Sequence, residues 1–350
     1  MRIDPAFTIL LPVLRPPDLL GFAIQSILSQ TRGDFELFII CDGAPSQTVA
    51  FADAAAAKDA RLRVFPFSKG ERHGEAHRHA VLEHARGRMI CQISDDDIWF
   101  PEHLAEIALL LDEVEFGNTL HTAVSPDNQF GSEFLDLGDP VVQARMRSEL
   151  WNVFGPTVAG YRLSTYRRLC VGWSPAPPGI WTDLAMWRKF LDLPGIVAGS
   201  RFAVTSLHFK AALRPDWPLD RRRAEIARYA GFAASEQWRD GVRQQVLRRA
   251  ARQVAELDAA SLQVVRLEAV IAEGQRISSA REARIAELER PAAPRRRGLP
   301  RLKRHLAAIV PSARRNGADI WRRLLANGFR GSLRAVRRWA TSRRSRHTIG

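Results

Sequence analysis

Three consecutive carboxylates, Asp95, Asp96 and Asp97, follow the short apolar run Met89 to Ile93 and precede Trp99, Phe100 and Pro101. Adjacent anions repel one another, so a fold that holds three together needs a compensating cation. Carboxylates at a strand end can hold a divalent ion against a diphosphate, and all-oxygen ligands suit hard ions such as Mg2+ or Mn2+. The plainer alternative is a solvated acidic turn before a helix opening at Pro101, because acids are favoured at a helix start. His73 and His77 also share a helical face, but they do not form His-Glu-x-x-His and no third ligand is evident. A loop leading into a helix is the reading favoured there over zinc. Cys41, Cys91 and Cys170 are few, odd in number and widely spaced, which fits neither a disulfide framework nor a zinc site.

The elements that must position these groups alternate strand and helix over the first 130 residues. Phe7 to Leu14 is a continuous apolar run of the kind found in a buried parallel strand. Asp18 is placed to cap a helix with the apolar face Leu20, Ala23, Ile24, Ile27 and Leu28. Strands are predicted at Phe35 to Ile40, Leu62 to Phe67 and Met89 to Ile93. Helices are predicted at Val49 to Ala60, Gly74 to Ala85 and Pro101 to Glu113. This order implies a mostly parallel sheet covered on both faces, with ligands beyond the carboxyl ends of the strands. Asp42 and the acid triplet occupy such ends. Residues from Thr119 to about Pro218 are irregular and rich in tryptophan (Trp151, Trp173, Trp181, Trp187, Trp217), which suits a binding half with an antiparallel edge. Trp217-Pro218 marks the expected end of that body.

Residues 219–290 read as helical. One heptad register places Val246, Ala250, Gln253, Leu257, Ala260, Val264, Leu267 and Ile271 on a single seam, as in a coiled coil; a long amphipathic helix packed on its own domain is the alternative. Pro291 to Pro300 then form a linker. The formal charge of the 350-residue chain is +14. Residues 291–350 hold 16 Arg, one Lys and one acid, so the body before them is near neutral. Inferences from basicity therefore concern the tail alone. No apolar run approaches the length needed to span a bilayer. The first residues lack the apolar core of a signal peptide. A reducing cytosol is the expected compartment.

Four motifs in order resemble a family-2 inverting glycosyltransferase of the GT-A fold, over about residues 6–213. They are Phe7-Thr8-Ile9-Leu10-Leu11-Pro12 with Gln25 to Thr31 after it, Phe35 to Gly43, Asp95 to Pro101, and Trp181-Thr182-Asp183-Leu184 with Trp187-Arg188. The fold class implied is α/β, a Rossmann-like and mostly parallel central sheet flanked by helices. A nucleotide-sugar half at about 1–117 and an acceptor half at about 118–218 follow from it. The helical or coiled-coil segment and a basic amphipathic tail at 301–350 complete the chain.

The resemblance implies roles residue by residue. Pro12 lies in the donor-binding motif. Asp42 matches the carboxylate that meets the nucleotide base and ribose, with Cys41 where the family has a further acid, and uridine diphosphate is the expected carrier. Asp96 matches a metal ligand, with Asp95 and Asp97 as ribose or metal neighbours; Ser94 stands where the family's first acid does. Arg78 falls where the family's helix faces the diphosphate or the metal motif, the alternative being an exposed helical arginine. Asp183 matches the catalytic base, which must take the acceptor's proton in a single displacement; a helix N-cap is its alternative. His208 lies where some members place a metal- or phosphate-contacting histidine, a structural histidine being the other reading.

The cofactor expected is Mn2+ or Mg2+. The partners expected are a nucleotide-sugar donor and a glycan or lipid-linked acceptor, in the synthesis of cell-surface polysaccharide. A second copy of the chain is a candidate partner through residues 243–290. Basic amphipathic stripes such as Ile320, Trp321, Leu324 and Leu325 favour an anionic membrane surface for 301–350, on the inner face of the cytoplasmic membrane. Nucleic acid ranks behind it. Two rival functions are a decayed sugar-nucleotide-binding scaffold, motivated by Cys41 and Ser94, and a sugar nucleotidyltransferase. The latter should carry a Gly-rich phosphate loop that Leu14-Arg15-Pro16-Pro17 does not supply.

Overall fold

The computed structural model describes residues 4–289, and the predicted linker and basic tail lie outside the described residues. The strands are β1 (Phe7–Val13), β2 (Phe35–Asp42), β3 (Leu62–Phe67), β4 (Met89–Gln92), β5 (Ile98–Trp99), β6 (Phe116–Leu120), β7 (Thr122–Val124), β8 (Phe130–Ser132), β9 (Ala159–Arg162), β10 (Ala198–Val204) and β11 (Ser206–Leu207). The helices are α1 (Leu20–Leu28), α2 (Ser46–Ala56), α3 (Glu75–Leu82), α4 (His103–Glu113), α5 (Pro140–Ser148), α6 (Leu163–Tyr166), α7 (Thr182–Leu191), α8 (Leu219–Ala233) and α9 (Glu236–Glu289).

Seven strands form one sheet in the order β10-β6-β9-β4-β1-β2-β3. β1, β2, β3 and β4 pair in parallel. Alternate residues of β1 and β2 feed two different cores, as strands buried on both faces must. Phe7, Ile9, Leu11, Leu37 and Ile39 pack with α1 and α4, whereas Leu10, Phe38 and Ile40 pack with α3, α5 and α7. This is the mostly parallel sheet flanked by helices that the alternation predicts.

Several details differ from the sequence reading. The antiparallel strand is not an edge. β9 is inserted between β4 and β6, with Gly160 opposite both Cys91 and Gly117. A larger residue there would displace Ile107, since a Cβ at position 160 would lie 2.8 Å from Ile107 Cγ2. Asp18 does not cap α1, which begins after Leu19 without a side-chain cap. Leu19 is drawn instead into a third core with Ile98, Phe100, Leu207 and Phe209. α2 starts at Ser46 rather than Val49, directly after Pro45.

The packed body also continues past Pro218. Ile226, Tyr229 and Ala233 of α8 and Val242 and Val246 of α9 belong to the third core. Two compact units result, one ending at Gln253 and the other starting at Val254. Val246 of the proposed heptad seam is therefore used by the body, while Leu257, Leu267 and Ile271 are exposed. Among the described residues no helix is long and apolar enough to cross a membrane.

Trp187 of α7 is fully buried, lies 5.4 Å from the Phe154 ring and 5.3 Å from the Phe116 ring, and donates Nε1 to Phe154 O. Trp187→Ala is expected to cost about 3–5 kcal/mol of stability, measured by chemical denaturation. It also loosens the helix that carries Asp183.

Candidate active site

The parallel strands end on one side of the sheet, and the predicted groups gather there. Asp42 closes β2 and is buried. Its Oδ2 accepts from Lys69 Nζ at 2.9 Å, and its Oδ1 accepts from the Gly70 amide at 2.6 Å, with His77 Nε2 3.4 Å away. The loop after β3 therefore closes over this carboxylate. Gly74 makes the closure possible: its φ is +67°, and a Cβ there would lie 2.5 Å from Asp42 Cγ. His77 stacks on Phe67 at 4.2 Å and bonds Ser68 O. His73 and His77 do not form a metal pair; among the described residues no cluster of three His, Cys, Asp or Glu could by itself cage an ion.

Arg78 is not the exposed helical arginine of the plainer reading. It is buried, with its guanidinium 5.1 Å from the Trp173 ring, and its Nε and Nη1 have no hydrogen-bond partner among the described residues. Burial lowers its proton affinity, opposed by Glu75 and Asp42 nearby. Pro12 lies half-buried within β1.

The acid triplet follows β4, and all three side chains are buried rather than solvated. Each is engaged by neighbouring side chains. Asp95 Oδ2 lies 3.0 Å from Arg15 Nε. Burial pushes the Asp95 carboxyl up to about 7, with Arg15 opposing and its two acidic neighbours adding to the rise. Asp96 Oδ2 accepts from Arg15 Nη1 at 3.1 Å and from Arg222 Nη2 at 2.7 Å. Asp97 is used by the protein itself: Thr157 Oγ1 donates to Oδ2 at 2.6 Å, His208 Nδ1 lies 3.2 Å from Oδ2, and the Phe209 amide reaches Oδ1.

Asp97 and His208, both candidates for a place near the ion, thus lie against each other. Asp96, the first-choice ligand of the sequence reading, stands beside them. Mg2+ and Mn2+ are commonly held by one or two carboxylates plus substrate phosphates, so a lone Asp96 at a diphosphate fits that mode without a protein-only cage.

Asp183 sits in the first turn of α7, one residue inside the helix, so it is not the N-cap. Its Oδ2 accepts from Asn152 Nδ2 at 2.8 Å and its Oδ1 from the Leu184 amide. Burial raises its proton affinity, opposed by those bonds. It lines a cleft of about 530 Å³ with His121, Asn152, Trp181, Lys210 and Arg249. Trp181 is 49% exposed there, while Trp173 and Trp187 are core. Trp151 is partly buried against the core under Arg145.

Short links join these parts. Glu75, at the start of α3, accepts from Thr182 at 2.7 Å, tying the Asp42 loop to α7. His121, in the cleft wall, stacks on His208 at 3.6 Å, and His208 contacts Asp97. The Gly155 amide donates to His121 Nδ1, and burial keeps this imidazole neutral well below its ordinary range.

Sequence reasoning missed Arg15, Lys69, Thr157, His121 and Arg222, and the bond from Asn152 to Asp183. Arg15 and Lys69 follow the carboxyl ends of β1 and β3, which is a positional signal. Arg222 gives no such signal.

Asn152→Ala supplies a pH test. Its amide favours the charged form of Asp183, so its loss raises the Asp183 proton affinity further. A base must be ionised to act, so the acidic limb of the kcat/KM profile is expected to move to higher pH. An unmoved limb would separate Asp183 from the rate-determining ionisation.

Residues 8–165 match the family model described as Glycosyl transferase family 2, a span that stops short of Asp183. The "Uncharacterized glycosyltransferase EpsJ" of Bacillus subtilis (strain 168) is 30% identical over 93 residues, covering 27% of this chain and 26% of that protein. This chain therefore aligns with about a quarter of that relative's length. The structure of S. aureus TarS 1-349 in complex with UDP-GlcNAc is 15% identical with a TM-score of 0.45, covering 65% of this chain and 66% of that one. Mannosyltransferase PcManGT from Pyrobaculum calidifontis, in complex with GDP-Man and Mn2+, is 15% identical with a TM-score of 0.43, covering 70% and 85%. The family match spans β1, β2 and the acid triplet, so this part of the chain resembles a family-2 glycosyltransferase domain.

Proposed function

We propose that the body is an inverting glycosyltransferase that moves a hexosyl group from a nucleotide-sugar to a hydroxyl of a glycan or lipid-linked acceptor in cell-surface polysaccharide synthesis. The observation that carries this is the placement of Asp183, a carboxylate of raised proton affinity fixed by Asn152 in the wall of an open cleft. Asp183 takes the proton of the acceptor hydroxyl as that oxygen attacks the anomeric carbon. The bond from that carbon to the diphosphate oxygen breaks on the opposite face, so configuration inverts. The exposed Trp181 indole offers a stacking face for a sugar ring.

The donor side supports a uridine carrier. An ionised carboxylate has about four lone-pair sites. The loop donors at Asp42 leave a lone pair that can accept a base N–H. Arg78, buried with Nε and Nη1 unpaired among the described residues, suits a phosphate oxygen. Mn2+ or Mg2+ bound at Asp96 would neutralise charge on the leaving diphosphate.

The direct test is to incubate the chain and Mn2+ with a panel of UDP- and GDP-sugars and an acceptor mixture, and to follow nucleotide release and anomeric configuration. No release with any donor sinks the enzyme reading. Calorimetry with UDP and Mn2+ then distinguishes a decayed scaffold, which loses transfer but keeps binding, from a body that binds no nucleotide.

Peripheral attachment at the cytoplasmic membrane is proposed from the sequence of 301–350. Flotation with anionic vesicles should fall on deleting 291–350, and unchanged flotation removes it. Self-association through the coiled-coil pattern of α9 is proposed from the exposed Leu257, Leu267 and Ile271.

A further inference from the structure

A cation from far outside the family match reaches the acid triplet. Arg222 lies in the first turn of α8, and its Nη2 donates to Asp96 Oδ2 at 2.7 Å. Arg15, between β1 and α1, donates to the same oxygen at 3.1 Å. One carboxylate oxygen is thus shared by two guanidiniums. The Arg222 side chain is 12% exposed. Its Nε is buried without a hydrogen-bond partner among the described residues, and its other acceptor is Phe209 O at 3.4 Å. α8 has separate anchors: Ile226, Tyr229 and Ala233 lie in the third core, and Glu225 binds Arg214 through two bonds of 2.6 Å. The helix therefore has packing of its own that does not run through the Arg222–Asp96 pair.

We propose that Arg222 is a diphosphate-binding residue contributed by α8, and that it exchanges Asp96 for the donor's phosphate oxygens when the donor enters. This rests on the donor reading given above. The guanidinium fork matches phosphate geometry, and Arg222 has an unused N–H to offer. A divalent cation drawn to Asp96, whose Oδ2 already accepts from two guanidiniums, repels both at close range and weakens their hold. When Asp96 turns to a cation, Arg222 and Arg15 need another anion, and the diphosphate supplies it. The resting cluster places two carboxyl groups, Asp95 and Asp96, against Arg15 and Arg222, and a diphosphate arriving with a divalent ion adds little net charge to it. Asp97 stands outside the exchange, since Thr157, His208 and the Phe209 amide already hold it.

The test uses the full chain and two titrations, Mn2+ alone followed by the electron paramagnetic resonance of free ion, and UDP or GDP with Mn2+ followed by calorimetry. Arg222→Ala is expected to bind Mn2+ alone about tenfold more tightly and the nucleotide with Mn2+ about tenfold more weakly. Arg222→Lys should fall between it and the unmodified chain. Arg223→Ala, exposed on the same turn, should leave both titrations unchanged. Opposite shifts are the signature; loss of both affinities, or no change in either, overturns the proposal. If Arg222→Ala melts early, Arg222→Gln carries the same comparison. An unmodified chain that binds neither UDP nor GDP overturns the donor reading itself, which is visible before any variant is made.

Discussion

Asp183→Asn is expected to lower sugar transfer by about 10²–10⁴-fold while nucleotide binding stays unchanged. The amide keeps the size of the side chain and can still accept from the Leu184 amide. It cannot take a proton from an acceptor hydroxyl. Asp183 lines the cleft with Asn152 and Trp181, whereas Asp42 and the acid triplet, to which the donor is assigned in the proposal above, are not among its lining residues. A base on the acceptor side should therefore affect kcat and spare donor affinity. The measurement is transfer rate beside calorimetric UDP binding. Equal loss of both would make Asp183 a structural residue of α7.

The second large effect is expected at Asp96. Asp96→Asn keeps an acceptor for Arg15 and Arg222 but removes the charge that balances them. Transfer is expected to fall by about 10²–10³-fold, with loss of Mn2+ binding measured by paramagnetic resonance. Thermal melting serves as the control, because uncompensated cations at a partly buried pair cost stability. Arg15 is 38% exposed, so water relieves much of that cost. Asp97→Asn offers the contrast. Its contacts to Thr157 and His208 make it a fold contact, so it should lower stability more than it lowers Mn2+ affinity.

These two expectations share a pattern that the triplet alone did not suggest. Three adjacent acids are divided among three environments. Asp95 is buried enough to approach neutrality near pH 7, Asp96 faces two arginines, and Asp97 is consumed by a histidine and a threonine. The division comes from the side chains that surround a turn, since the three residues are chemically identical.

Local pattern carried much of the scaffold. Leu62 to Phe67 was bounded as observed, and β1, β2 and β4 agree within one or two residues. Continuous apolar runs between turn signals are short-range information, and buried parallel strands require them. Asp42 and the triplet were legible for the same reason, because each ends such a run. The insertion of β9 inside the sheet was not legible. It depends on Gly160 passing beneath Ile107, a contact between segments about fifty residues apart with no periodic signature.

Residue order alone was enough for a mostly parallel α/β scaffold and for the strand ends that carry the acids, because apolar runs and turn signals are local properties. What each acid meets depends on packing between distant segments. Arg222 reaches Asp96 across 126 residues and Asn152 reaches Asp183 across 31. Such pairs arise when packed elements bring distant side chains within about 3 Å, the range of a hydrogen bond. No spacing along the chain encodes that approach.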